Sequence, residues 1–187
     1  MSLPNPEQGA RSVLQRAVAV LRDGLGAAVA AINVRLKEED AGYTLSAPAE
    51  AEIKPHEMPG VWPATYPAVR LQRTAFRPFP HSGSMGLGNA TTTLTANCYV
   101  QREHGRTSVS DGFDLSSLSS EAWDFSAAVR QVMERDLCSA GTGIYKVDAG
   151  DFREIGPLQH GGDNLRYVMI IEASFSVTQL VRDSFGT

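Results

Sequence analysis

The chain has 187 residues, a formal net charge of -4, 42% hydrophobic residues and 20% charged residues. That length suits one domain with a real core, and that balance excludes a disordered chain. No Lys/Arg cluster supports a duplex-binding surface. Cys98 and Cys138 stand far apart and read as two buried free thiols rather than a disulfide. The first residues carry no basic, apolar leader, and no uninterrupted apolar run approaches membrane length. The expectation is a soluble chain without a membrane span.

Taken in order, Asn5-Pro6-Glu7-Gln8 is a helix start, with Asn5 as cap and Pro6 in the first turn. Leu14, Ala17, Val18, Leu21, Leu25, Ala28, Val29, Ile32 and Leu36 then recur at helical spacing, so an amphipathic helix is predicted over Pro6 to Lys37. Gly24 and Gly26 weaken its middle by roughly 1 kcal/mol each relative to Ala, and permit close packing or a kink. Glu38 to Ala64 holds four prolines and reads as a long loop, either a partner-binding arm or a stretch hiding short strands, with Tyr43-Thr44-Leu45 one candidate. Met58, Val61 and Trp62 in it either tuck back on the core or bury in a neighbouring subunit.

Tyr66 to Arg73 reads as a strand. Thr74 to Ala90 reads as a second long loop, an arm tip carrying Phe76, Phe79, Met85 and Leu87. Thr91 to Arg102 is a strand with Leu94, Ala96, Cys98 and Val100 toward the core and Thr91, Thr93, Thr95, Asn97 and Tyr99 toward a wet face. Ser119 or Ser120 caps a helix whose buried stripe is Ala122, Phe125, Val129, Val132, Met133 and Leu137. Ile144 to Val147 is a short strand and Asp148 to Pro157 a turn-rich stretch. Gly161-Gly162-Asp163-Asn164 suits a reversal into the last strand, Asn164 to Leu180. There Leu165, Tyr167, Met169, Ile171, Ala173, Phe175 and Val177 share one face, a period of two sustained far beyond the usual strand. Residues 181–187 read as a flexible tail. The sum is one α+β domain of two layers, with both helices on one face of a mostly antiparallel sheet and long loop arms at 38–64 and 74–90.

Catalytic chemistry has no foothold in this pattern. His56, His81, His104 and His160 are scattered, without metal-ligand spacing. Ser82-Gly83-Ser84 has no nucleophile elbow around it. Asp111, Asp114, Glu121 and Asp124 do not match a calcium loop. No catalytic, metal or cofactor residue is assigned, and the chain is read as a non-enzyme without cofactors.

The organisation resembles the tail terminator, or tail completion, proteins of tailed bacteriophages and related tail-like particles. The likeness covers nearly the whole chain and rests on the order of its parts: the long helix Pro6 to Lys37, the Tyr-Pro-Ala-Val-Arg-Leu strand at 66–71, the strand Thr92 to Val100, the helix Glu121 to Leu137 and two closing strands. The resemblance implies a structural virion protein at the tail or neck, assembled in the host cytoplasm. It implies a homo-oligomer, a hexameric ring, that ends tail-tube growth and meets the neck connector. DNA would touch it only in transit through the lumen, and no membrane is involved. The interface candidates are then Trp62, Phe76, Phe79, Met85, Leu87 and Phe185, with Asp111, Asp114 or Glu172 toward the lumen. Beside a generic cytoplasmic oligomeric scaffold, two alternatives stay open. One is a head-completion or neck connector protein of the same particle. The other is a small-ligand or catalytic α+β domain with His81 or His160 in a pocket.

Overall fold

The computed structural model describes residues 6–56, 61–78, 87–103, 115–138, 143–160 and 166–182. Helix α1 spans Pro6–Glu38 and α2 spans Leu115–Asp136; the strands are β1 Ile53–Pro55, β2 Ala68–Pro78, β3 Leu87–Glu103, β4 Ile144–His160 and β5 Arg166–Arg182. They form one five-stranded sheet in the order β1-β2-β3-β5-β4. Every pairing is antiparallel except β1 with β2. Both helices pack on one face, which gives the predicted two-layer α+β fold.

Each helix lies where its stripe demands. Val13, Ala17, Leu21, Leu25, Ala28, Val29, Ile32 and Leu36 of α1 are buried, and so are Leu118, Ala122, Phe125, Val129, Val132 and Met133 of α2. They meet Val69 and Leu71 of β2, Leu94, Ala96 and Cys98 of β3, and Met169, Ile171, Ala173, Phe175 and Val177 of β5. These strand residues are the alternate ones, so a single period-two face supplies half of the core. At Gly24 the helices pack tightly: a Cβ there would stand 3.0 Å from Asp136 Oδ2 and 3.1 Å from a Val132 methyl. Gly26 faces open space. Over residues 11–38, α1 is long and apolar enough to cross a membrane by composition alone, with mean hydropathy 1.5 in its best window. Arg22 and Asp23 interrupt its apolar run midway. In this fold the apolar side of the helix is the core of the domain.

The loops are shorter than the sequence implies. Residues 74–90 are not one loop, because β2 continues to Pro78 and β3 begins at Leu87. A register shift between Arg73 and Ala75 lets the two strands go on pairing as far as Pro78 with Ala90. Such a bulge breaks the alternation that a strand reading depends on, and Pro78 sits at the strand end, where its missing donor costs little. Residues 38–64 contain a 3-10 turn at Glu50–Glu52 and the strand β1, rather than a strand at Tyr43-Thr44-Leu45. The stretch after Val147 is also strand: β4 runs 17 residues with three register shifts against β5. Val181 and Arg182 belong to β5 and not to a tail. Helix α2 begins at Leu115, a turn before the predicted caps. Leu118 extends its buried stripe, and Arg102 of β3 donates to Ser117 Oγ at 2.7 Å and to Glu121 at 3.0 Å.

Candidate functional site

The face of the sheet away from the helices is built in rungs. Across β2, β3, β5 and β4 the first rung is Ala68, Tyr99, Ile170 and Ile155, and the next is Arg70, Asn97, Glu172 and Arg153. Then come Gln72, Thr95 and Ser174, followed by Ala75, Thr93, Ser176 and Asp148, and then Arg77, Thr91, Thr178 and Lys146. The two central columns are therefore Ser, Thr and Asn above a single Glu172, while most charges sit in the outer columns. Thr95, Asn97 and Tyr99 are buried despite facing away from the helices. The expectation of a wet face fails for them because β3 is the middle strand, crowded by side-chain columns on both sides.

One end of this face is covered by the segment that leads into β2. Trp62 and Tyr66 pack over Ala68, Tyr99, Val168 and Ile170, with Ile155 beside them. Burial pushes the Tyr66 phenol up to about 12, with Tyr99 and Glu52 adding to it. The Tyr66 hydroxyl has no hydrogen-bond partner among the described residues. Next to this cluster, Arg70 donates to the Glu52 carboxylate and to the Glu52 carbonyl, and both side chains are buried. Arg22 of α1 donates to the Ile53 carbonyl at 3.0 Å, so β1 is tied from both layers. Sequence inspection missed Glu52 and Arg70, since an acidic residue in a Pro-rich stretch carries no sign of burial.

The described interface candidates, Trp62, Phe76 and Leu87, stand at different places on the sheet. Trp62 is half-buried against its own subunit, 6.4 Å from Tyr99 in an edge-on arrangement. Phe76 lies far along β2, half-buried, opposite Thr92. Leu87 opens β3 opposite Arg182. Phe79, Met85 and Phe185 lie outside the described residues, as do Asp111 and Asp114. Glu172 stands half-buried on the open face between Asn97 and Arg153.

Two hollows mark the helix side. One, of about 560 Å³, is at the C-terminal end of α1 and is lined by Ala30, Val34, Ala41 and Tyr43, with Lys37 and Asp40 of opposite sign. Beside it Tyr43 donates to Asp124 at 2.6 Å and Arg35 to the same carboxylate at 2.6 Å. The phenol of Tyr43 is pushed up to about 12 by burial and by the Asp124 carboxylate. The second, of about 380 Å³, lies between α1 and β2 and includes His56, Arg11 and Arg73. His81 lies outside the described residues, and His160 is the last residue of β4. Among the described residues no three His, Cys, Asp or Glu groups are placed to hold a metal ion. Both cysteines are free, with Cys98 buried and Cys138 only half-buried.

No protein-family model matches the chain, and no curated protein matches it at a significant level.

Proposed function

We propose that the protein is a structural subunit that assembles head to tail into a ring on the end of a phage-type tail tube. There it stops tube growth and presents a surface to the neck. The reading rests on the two ends of the sheet. Strand β1 covers only Val69 to Leu71 of β2, so the outer side of β2 from Gln72 to Pro78 faces no strand among the described residues. The outer side of β4 faces none along its 17 residues, and it carries the exposed side chains of Tyr145 and Leu158.

Unpaired edges of this length are a liability in a monomer, because rows of free N–H and C=O groups template association. Two unlike edges on opposite ends of one sheet are what a heterologous ring contact uses. The three register shifts in β4 blunt its edge against open-ended pairing and leave only particular stretches for a neighbour. The open face, with Ser and Thr in its central columns, would then run along the ring as a weakly charged wall. The mechanism is steric, with no chemical step.

Light scattering on a size column, followed by negative-stain imaging across concentration, tests this. A closed ring near six subunits with a central hole, able to cap purified tubes, supports the terminator role. A monomer at every concentration that joins only a portal or adaptor ring would replace it with the connector role. A monomer that binds neither partner would end both.

A further inference from the structure

The cleft between α1 and β2 has an unusual charge. Its lining is Arg11 and Leu14 of α1, His56 just after β1, and Leu71, Gln72 and Arg73 of β2. No described carboxylate lines it. Five other described arginines are matched to carboxylates: Arg35 to Asp124, Arg70 to Glu52, Arg102 to Glu121, Arg130 to Glu134 and Arg135 to Asp136. Arg11 and Arg73 are exposed and make no ion pair with a described residue. In a chain of net charge -4, this hollow brings two guanidinium groups together with no described carboxylate in its lining.

The cleft is also built rather than incidental. Leu71 is fully buried and Leu14 half-buried, so the floor is apolar and fixed. The backbone N–H of His56 donates to the Leu71 carbonyl at 2.7 Å, which holds the imidazole's residue beside β2. Arg73 is the last residue before the register shift in β2, where its side chain is on the helix side of the sheet. Guanidinium forks and an imidazole around a small hollow are a donor set that a phosphate group takes, with bidentate Arg contacts supplying most of the binding.

We infer that this cleft binds the phosphate group of a small phosphorylated molecule, held between Arg11 and Arg73 with His56 beside it. The volume of about 380 Å³ fits a phosphate with part of its ester group and not a nucleic-acid duplex. The site is on the helix side of the sheet, so it is separate from the open face and does not depend on ring formation.

The test is calorimetry and amide NMR on the intact chain at low ionic strength, with inorganic phosphate, adenosine monophosphate and a short DNA duplex as probes. Saturable one-to-one phosphate binding with a Kd of order 1 mM is expected. Arg11→Gln and Arg73→Gln should each weaken it by about tenfold, the cost of one charge-assisted contact. Circular dichroism should show both variants folded, and Arg130→Gln, on the far side of the domain, should bind as the parent does. Tighter adenosine monophosphate binding would identify an organic phosphate, and equal binding would identify the free ion. Absence of saturation by phosphate, or binding that survives both cleft substitutions, would overturn the inference. So would duplex binding that both substitutions abolish, since the cleft would then be a backbone contact.

Discussion

Trp62 stands edge-on to Tyr99 with ring centroids 6.4 Å apart and planes at 72°. This contact closes one end of the open sheet face, over Ala68, Val168 and Ile170. A tryptophan in a Pro-rich loop is equally readable as a partner anchor, and the geometry gives it a place within its own subunit. Trp62→Ala should therefore lower the stability of the isolated domain by about 2 kcal/mol, less than for a fully buried tryptophan. Urea denaturation of the monomeric species measures this. Unchanged monomer stability with weakened assembly would instead make Trp62 an intersubunit anchor.

The buried pair of Arg70 and Glu52 fastens β1 to β2, and its energetics are asymmetric. Removing one partner strands a charge, so Arg70→Met or Glu52→Leu should each cost about 3–5 kcal/mol. Removing both, as Arg70→Met with Glu52→Leu, should recover much of that loss. A double-mutant cycle by chemical denaturation reads the coupling. A double-variant loss equal to the sum of the two single losses would show that the two side chains act independently.

How much of this was legible in the sequence depends on which signal each region carried. Helical stripes and the long period-two face of β5 gave the fold class, since a whole face of Met169, Ile171, Ala173, Phe175 and Val177 is hard to mistake. What failed was the strand signal wherever a register shift interrupts alternation. The shifts at Arg73/Ala75, Ala149/Phe152 and Ile155/Leu158 turned continuous strands into apparent loops. Burial of polar groups was also invisible: Glu52 and Arg70 become a core pair only through a three-residue strand. Arg11, His56 and Arg73 are far apart in sequence, so the cleft they line had no local pattern to announce it.

The two glycines of α1 should behave oppositely. Gly26 faces open space, so Gly26→Ala should stabilise the helix by about 1 kcal/mol. That is a rise of about 3 °C in Tm for a chain of this size. Gly24 is pressed against Val132 and Asp136 of α2. Gly24→Leu should cost about 1–3 kcal/mol by forcing the helices apart. Differential scanning calorimetry on both variants checks the contrast, and a tolerated Gly24→Leu would show that the helix contact yields freely.

The thiols should differ in reactivity. Burial pushes the Cys98 thiol up to about 12, and Cys138 is raised by burial as well but remains half-buried. The thiolate is the reacting species, so a thiol reagent at pH 8 should label Cys138 first and Cys98 only as the domain opens. Mass spectrometry of a labelling time course resolves the two. Equal rates without denaturant would mean that the sheet beneath α1 and α2 opens readily.

Alkaline pH should weaken the fold ahead of any change at its surface. The phenols of Tyr43 and Tyr66 and the thiol of Cys98 all stand at about 12, and burial is the leading cause in each. In the unfolded chain a phenol ionises near about 10 and a thiol near about 8.5. Between those values and about 12 the folded state holds more protons than the unfolded state, so stability falls as pH rises. The contribution is complete below the unfolded values and lost through the folded ones. Denaturation midpoints from pH 8 to 11 should therefore decline, with tyrosinate absorbance lagging behind that of free tyrosine. Tyr43→Phe should flatten the decline, because it removes one of the three groups while keeping the ring against its neighbours. A midpoint that is level to pH 11 would mean that these groups ionise in the folded domain as they do in water.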